Sequence, residues 1–283
     1  MYYGLLTLSV VMFGVGFFLN DRYQKESGSG LCDTLTFTLF SNLAGLIILL
    51  IINRFRLDFT PFTLLMAGLA TLNSIAFSFC SLKAFEHINL SLYSIFAMLG
   101  GMVLPFVVGI VFYDEPLTVA NATCLVLIAA ALALTLKRGE KKNGFLYYVG
   151  VFLLNGLSGV LSKGFQSAPY AKASAASYSI WMAALAVAVC ALLLLSLHKR
   201  MQRPSGKALL YTLGCGSVNK VANLFLLLAL AVLPASVQYP FVTGGTMIVS
   251  TLIGLLLGQR PTKREIGAIA LSFIGILALI FIK

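Results

Sequence analysis

The chain reads as an all-α integral membrane protein, with ten transmembrane helices arranged as two inverted five-helix repeats. Three observations carry that expectation. Of its 283 residues 59% are apolar and only 10% are charged, whereas soluble domains are about 45–50% apolar and roughly 25% charged. Ten apolar segments alternate with short polar breaks. The second half of the chain also repeats the first at one constant offset.

A chain this apolar has more greasy surface than a soluble interior of its size can hide, so its solvent is lipid. The hydrocarbon core is about 30 Å thick and a helix rises about 1.5 Å per residue, so a span needs about 20 residues. The segments that qualify lie at roughly 2–20, 32–53, 61–83, 88–112, 118–136, 145–165, 175–197, 207–231, 235–258 and 265–282. Between them stand polar runs such as Asp21–Gly30, Asn53–Asp58, Lys137–Gly144 and His198–Lys207. In lipid every backbone polar group must be satisfied internally, which leaves helices or a closed barrel. Barrel strands would alternate over about 10 residues; these runs are longer and apolar all round. The first segment lacks a basic leader and a small-residue cleavage site, so it reads as a retained helix.

The repeat has an offset of 145 without a gap. Tyr2 and Tyr3 fall on Tyr147 and Tyr148, Gly14 on Gly159, and Arg54 on Lys199. Ser91 falls on Ser236, Phe96 on Phe241, Gly100 on Gly245, Gly109 on Gly254 and Pro116 on Pro261. Residues 1–138 and 139–283 are thus the expected repeats. Five spans per repeat is an odd number, so the halves cross the membrane in opposite senses. Inverted repeats are a plan of secondary transporters, which bind substrate near the midplane where the halves meet.

The net charge of +11 does not point to nucleic acid. Most Lys and Arg sit in the short runs between spans, where they set membrane orientation. With both termini outside, fourteen basic residues face the cytoplasm, among them Lys137, Arg138, Lys141, Lys142, Lys199, Arg200 and Arg203. Five scattered cysteines and two histidines (His87 and His198) make no metal site, and no cofactor is expected. All nine acidic residues stand at or near span ends. No nucleophile–base pair or deep carboxylate pair is visible, so the chain is not expected to be an enzyme.

The last two spans of each half carry a resemblance. Ala84–Gly101 leads to Tyr113–Thr118 in the first half, and Ala229–Gly245 leads to Gly258–Thr262 and then Ile266–Leu279 in the second. These segments resemble the ten-helix drug/metabolite transporter superfamily, the EamA-like carriers, over essentially the whole chain. The resemblance implies two five-helix bundles around a central cavity, with the fifth and tenth helices peripheral. It also implies both termini inside, against the charge count. Members carry an acidic turn before the last helix of each half; here Asp114-Glu115 is matched by Gln259-Arg260.

Lys220, near the middle of the eighth span, is the sharpest single feature. A lysine there costs about 2.5–3.5 kcal/mol or more to insert, so it is expected to face a partner or a wet cavity. Its setting, Gly216-Ser217-Val218-Asn219-Lys220, resembles the G-A-L-N-K motif of nucleotide-sugar transporters, where the Asn and Lys contact nucleotide and phosphate. Lys220 is therefore expected to bind a carboxylate or phosphate, with Asn219 and Asn223 as neutral donors. Gln238 and Tyr239 beside Pro240, Tyr93 and Ser94 at the equivalent places of the fourth span, and Asn73 in the third are expected to complete the wall. Each also has a plainer reading as interhelical hydrogen-bond glue. The aromatics Phe77, Phe79, Phe96, Trp181 and Phe241 are candidates for a ring-binding wall. Gly100-Gly101 and Gly244-Gly245 read as packing sites that join the fourth and ninth helices.

The expected function is secondary transport of a small anionic or zwitterionic metabolite by alternating access, in the plasma membrane. Alternatives are an exporter of amino acids or neutral compounds, and a non-transporting scaffold or receptor. A scaffold would have a sealed interior at Lys220.

Overall fold

The computed structural model describes residues 2–112, 118–135, 144–197, 204–230, 235–259 and 261–281. They form α1 (Tyr2–Ser27), α2 (Leu31–Ile52), α3 (Pro61–Phe85), α4 (Leu90–Phe112), α5 (Val119–Thr135), α6 (Phe145–Ser167), α7 (Ala175–Ser196), α8 (Gly206–Leu230), α9 (Ala235–Leu256) and α10 (Lys263–Phe281). No strand occurs among the described residues. Six of the helices, α1, α2, α3, α6, α7 and α8, are long and apolar enough to cross a membrane. Shorter apolar stretches lie in α4 (Leu92–Pro105) and α9 (Phe241–Leu256).

Local chemistry sets the helix ends. Thr60 caps α3 by accepting from the Thr63 N–H at 3.2 Å, with Pro61 in the first turn where its missing donor costs nothing. Ser174 caps α7 in the same way at 3.2 Å. Thr262 and Glu265 form a reciprocal box at the start of α10: the Thr262 N–H donates to Glu265 at 2.9 Å, and the Glu265 N–H to the Thr262 hydroxyl at 3.3 Å. α1 runs beyond the apolar segment that ends near residue 20. There the buried Asp21 pairs with Lys25 at 2.7 Å, one turn on. The helix stops at Gly28, whose φ of +94° suits glycine best.

Contacts fix the relative directions of the helices. Along α1 and α8, Ser9 donates to the Ala222 carbonyl at 3.1 Å, and Ser205 donates to Glu26 at 3.0 Å. Low numbers in α1 thus meet high numbers in α8, so the two are antiparallel. α3 and α6 are antiparallel too, with Phe62 stacked near Phe165, Asn73 bonded to Ser158 and Phe79 near Tyr147.

The neighbour relations come in matched sets. α1 packs on α8 and α9, as α6 packs on α3 and α4. α2 packs on α8, as α7 packs on α3. α2 with α7, α4 with α9 and α5 with α10 complete the scheme. Renumbering each helix by five therefore maps these larger contacts onto one another.

Individual residues repeat the pattern. Gly14 of α1 lies so close to Val249 of α9 that an added Cβ would fall 2.4 Å from it, and Gly159 of α6 meets Pro105 of α4 at 2.5 Å. Gly100, Gly101 and Gly245, expected to join α4 and α9, serve other contacts. Gly100 lets α4 approach the Phe152 backbone of α6, where a Cβ would fall 2.0 Å from its carbonyl oxygen, and Gly245 lets α9 approach Val10 of α1 at 2.8 Å. Small residues do permit close approach here, but the partners are α6 and α1.

Candidate functional site

A cavity of about 330 Å³ lies in the middle of this bundle, lined from α1, α2, α3, α4, α6, α7, α8 and α9. α5 and α10 contribute nothing to it among the described residues. The lining is written into three helices at one spacing. α8 presents Gly216, Asn219, Lys220 and Asn223; α1 presents Phe13, Gly16, Phe17 and Asn20; α6 presents Asn155, Ser158, Gly159 and Ser162. Positions separated by three, four and seven residues share one face of a helix. Each helix thus turns one stripe of polar, small or aromatic residues to the cavity. α3 adds Ser74, Phe77 and Ser78, α2 adds Ser41 and Asn42, and α7 adds Tyr178 and Ser179.

Lys220 is the one lysine or arginine of this wall, and no Asp, Glu or His joins it, among the described residues. The carboxylates in ion pairs among the described residues are Asp21, with Lys25, and Glu86, with Lys83 and His87. They stand at helix ends, and neither is paired with Lys220. Two close backbone approaches hold the lysine's stem. A Cβ on Gly45 of α2 would fall 2.3 Å from Lys220 Cγ, and one on Gly216 would fall 1.9 Å from the Ser41 carbonyl oxygen. Only glycines at both positions let α2 and α8 close around the stem.

Asn219 donates to Cys215 Sγ at 3.2 Å and faces Gly16 of α1. Asn223 donates to the Asn219 carbonyl at 2.9 Å and is exposed to the cavity. Tyr93 lies against the opposite end of the lining, fully buried. Its hydroxyl is 2.6 Å from that of Ser81, which also accepts from Asn20 at 2.9 Å. The Tyr93 ring is flanked by Phe17 and Phe85, with centroids at 5.1 and 4.1 Å. Aromatic packing and a buried hydrogen-bond chain therefore shut this end, tying together α1, α3 and α4.

Four of the residues expected from the sequence come together: Lys220, Asn219, Asn223 and Tyr93. Asn73 does not belong with them. Its amide donates to the Leu154 carbonyl at 2.9 Å and to the Ser158 hydroxyl at 2.7 Å, so it fastens α3 to α6 behind the wall. An asparagine in apolar surroundings takes whatever acceptor its neighbouring helix offers. Gln238 and Tyr239 lie on α9, and their side chains, like that of Pro240, are outside the described residues. Of the aromatic candidates Phe77 lines the cavity. Phe79 and Phe96 pack against Tyr147 and Tyr148, and Trp181 against Phe59 with its N–H on the Asp58 carbonyl at 3.0 Å.

Sequence reasoning missed Asn20, Asn42, Asn155 and the serines of α3 and α6. Their signal is the stripe: Asn155, Ser158 and Ser162 already share a helical face in the bare sequence.

Comparison with known proteins agrees with this architecture. No curated protein sequence matches the chain. A solved crystal structure is similar over 97% of this chain and 94% of its own, with a TM-score of 0.64 at 17% identity; that likeness concerns the fold alone. Residues 142–281 match the model of the EamA-like transporter family. With that match and its apolar helices, the chain belongs to the EamA-like transporters of the drug/metabolite transporter superfamily.

Proposed function

We propose that this chain is a secondary transporter of the plasma membrane that carries a small anionic or zwitterionic metabolite by alternating access. Ten transmembrane spans in two inverted repeats form the carrier, with substrate held in the central cavity. The matched neighbour sets and the antiparallel pairs α1–α8 and α3–α6 support the inversion. The observation that carries the reading is Lys220: a cation on a cavity wall that holds no carboxylate among its described residues. A lysine deep in a membrane protein needs compensation, and a substrate carboxylate or phosphate supplies it.

Alternating access needs one end open and one closed. The closed end is the Asn20–Ser81–Tyr93 chain with its aromatic flanks, and the wet end lies toward Asn223. Transport of a neutral compound fits the wall less well, because it would leave the lysine uncompensated. A sealed scaffold is at odds with a cavity of about 330 Å³.

A thermal-shift screen of the purified protein against amino acids, organic acids, nucleotides and sugar phosphates tests the binding part. A ligand present at 100 times its Kd stabilises by about 2.7 kcal/mol. The expected result is an anionic or zwitterionic hit that Lys220→Ala abolishes. A hit equally strong in Lys220→Ala, or hits confined to neutral compounds, would overturn the proposal.

A further inference from the structure

Resting on that reading, we infer that the two ends of the carrier are unequal: a polar latch at the sealed end has no counterpart at the other, so the state sealed here is the resting state. The latch comprises Asn20–Ser81–Tyr93, Asn89–Glu265 and Ser29–Glu86. The halves of an inverted repeat are related by a two-fold axis in the membrane plane. Exchanging their conformations therefore turns a carrier sealed at one end into one sealed at the other. Each contact at the sealed end then has a counterpart, 145 positions away in sequence, that would seal the opposite end. With like residues at both places the two states would be equal in energy.

The larger helix contacts do have counterparts, and the crossings at Gly14 and Gly159 are one such pair. The latch lies on helix pairs that do not. α1 touches α3 and α4, and α4 touches α10, but α6–α8, α6–α9 and α5–α9 make no contact of that extent among the described residues. Asn20 donates to Ser81 at 2.9 Å, and the Ser81 hydroxyl lies 2.6 Å from that of Tyr93. The offset places Phe165, Leu226 and Gln238 at the matching positions. Asn89 donates to both oxygens of the buried Glu265 at 3.2 Å, and the matching residues are Pro234 and Ala120. Ser29 donates to Glu86, which is matched by Ala231. Side chains of Phe, Leu, Pro and Ala neither donate nor accept, so none of these bonds can form at the far end. The bond from the Leu90 N–H to Gln259 at 3.3 Å is the exception, since the matching Asp114 is also an acceptor. Losing one neutral hydrogen bond shifts an equilibrium about two- to tenfold, and a bond to a carboxylate more. The missing bonds together favour the state sealed here by about tenfold at least.

The test is amide hydrogen exchange of the full chain in nanodiscs, which reads local opening. It compares the C-terminal ends of α1 and α3 with those of α6 and α8, which the offset pairs. Two variants release the latch separately. Tyr93→Phe removes one hydroxyl and keeps the ring. Asn89→Asp sets a carboxylate against Glu265 while keeping the oxygen that caps α4 through the Leu92 N–H at 2.8 Å. The wild type should show protection about tenfold or more higher at α1 and α3. Each variant should raise exchange there, and the double variant, with its two states comparably populated, should also slow exchange at α6 and α8. Equal protection of the two ends in the wild type overturns the inference, and that comparison stands even if a variant does not fold. So does unchanged exchange at α1 and α3 in the folded variants. Faster exchange at α1 and α3 with α6 and α8 unaffected in the double variant makes the latch a local clasp, and refutes alternating access with it.

Discussion

Gly45 is the residue through which the architecture around Lys220 is most easily disturbed. A methyl group placed there by Gly45→Ala would lie 2.3 Å from Lys220 Cγ, 3.1 Å from its Cβ and 3.3 Å from the Gly216 carbonyl oxygen. Ordinary carbon contacts begin near 3.5 Å, so the Cγ contact is more than 1 Å too short. Either the lysine stem leaves its rotamer or α2 and α8 part. Overpacking of this kind costs about 1–3 kcal/mol. Lys220→Ala removes the Cγ, leaving the milder contacts with Cβ and the Gly216 carbonyl, so most of the cost should vanish in the double variant. The expected coupling is about 1–2 kcal/mol between the two substitutions, against a spread of about 0.3–0.5 kcal/mol for independent sites. Reversible unfolding in mixed micelles, read on the two single variants, the double variant and the wild type, measures it. Additive single and double effects would refute the idea that Gly45 exists to seat the lysine.

Three further outcomes follow from the same geometry. Gly216→Ala sets a Cβ 1.9 Å from the Ser41 carbonyl oxygen; backbone cannot swing aside as a side chain does, so folded yield and melting temperature should fall further than in Gly45→Ala. Asn73→Leu removes the donor to Leu154 and Ser158, and should cost about 0.6–1.7 kcal/mol of stability with ligand affinity unchanged, as denaturation and binding assays on one preparation would show. A cysteine at Ser205, at the end of the bundle where the basic runs collect, should react with an impermeant thiol reagent only from the cytoplasmic side if the charge distribution sets orientation; labelling from outside would favour the opposite topology.

The fold was legible because membrane crossing imposes length and composition on each helix. Ten segments drawn from hydropathy correspond to ten described helices, with ends displaced by a few residues where short-range chemistry extends them, as Asp21 and Lys25 do for α1. Gly14 and Gly159, which the constant offset pairs, both stand at close helix crossings. Which helix each glycine meets was not legible, because a small residue announces a close approach without naming the partner. Gly100 faces α6 for that reason, where symmetry alone had suggested α9. Lys220 stood out through its insertion cost. Asn20 did not, since an asparagine at the edge of an apolar run looks like the first residue of a loop, and only its bond to Ser81 shows it buried. Asn73 and Asn155 look alike in sequence, and both fasten helices, Asn73 to α6 and Asn155 to the Ala97 carbonyl of α4; the rotation of each helix decides that Asn155 also lines the cavity.

The most direct measurement is uptake or counterflow in proteoliposomes of the ligand found by binding, comparing the wild type with Lys220→Ala and Lys220→Arg. A charge-assisted hydrogen bond contributes about 1.5–3 kcal/mol, which is roughly tenfold or more in apparent affinity. Transport by Lys220→Ala should fall by at least about that factor while the melting temperature shows a folded protein, and Lys220→Arg, which keeps the charge, should retain part of it. Undiminished transport by a folded Lys220→Ala would contradict a carrier built around this lysine.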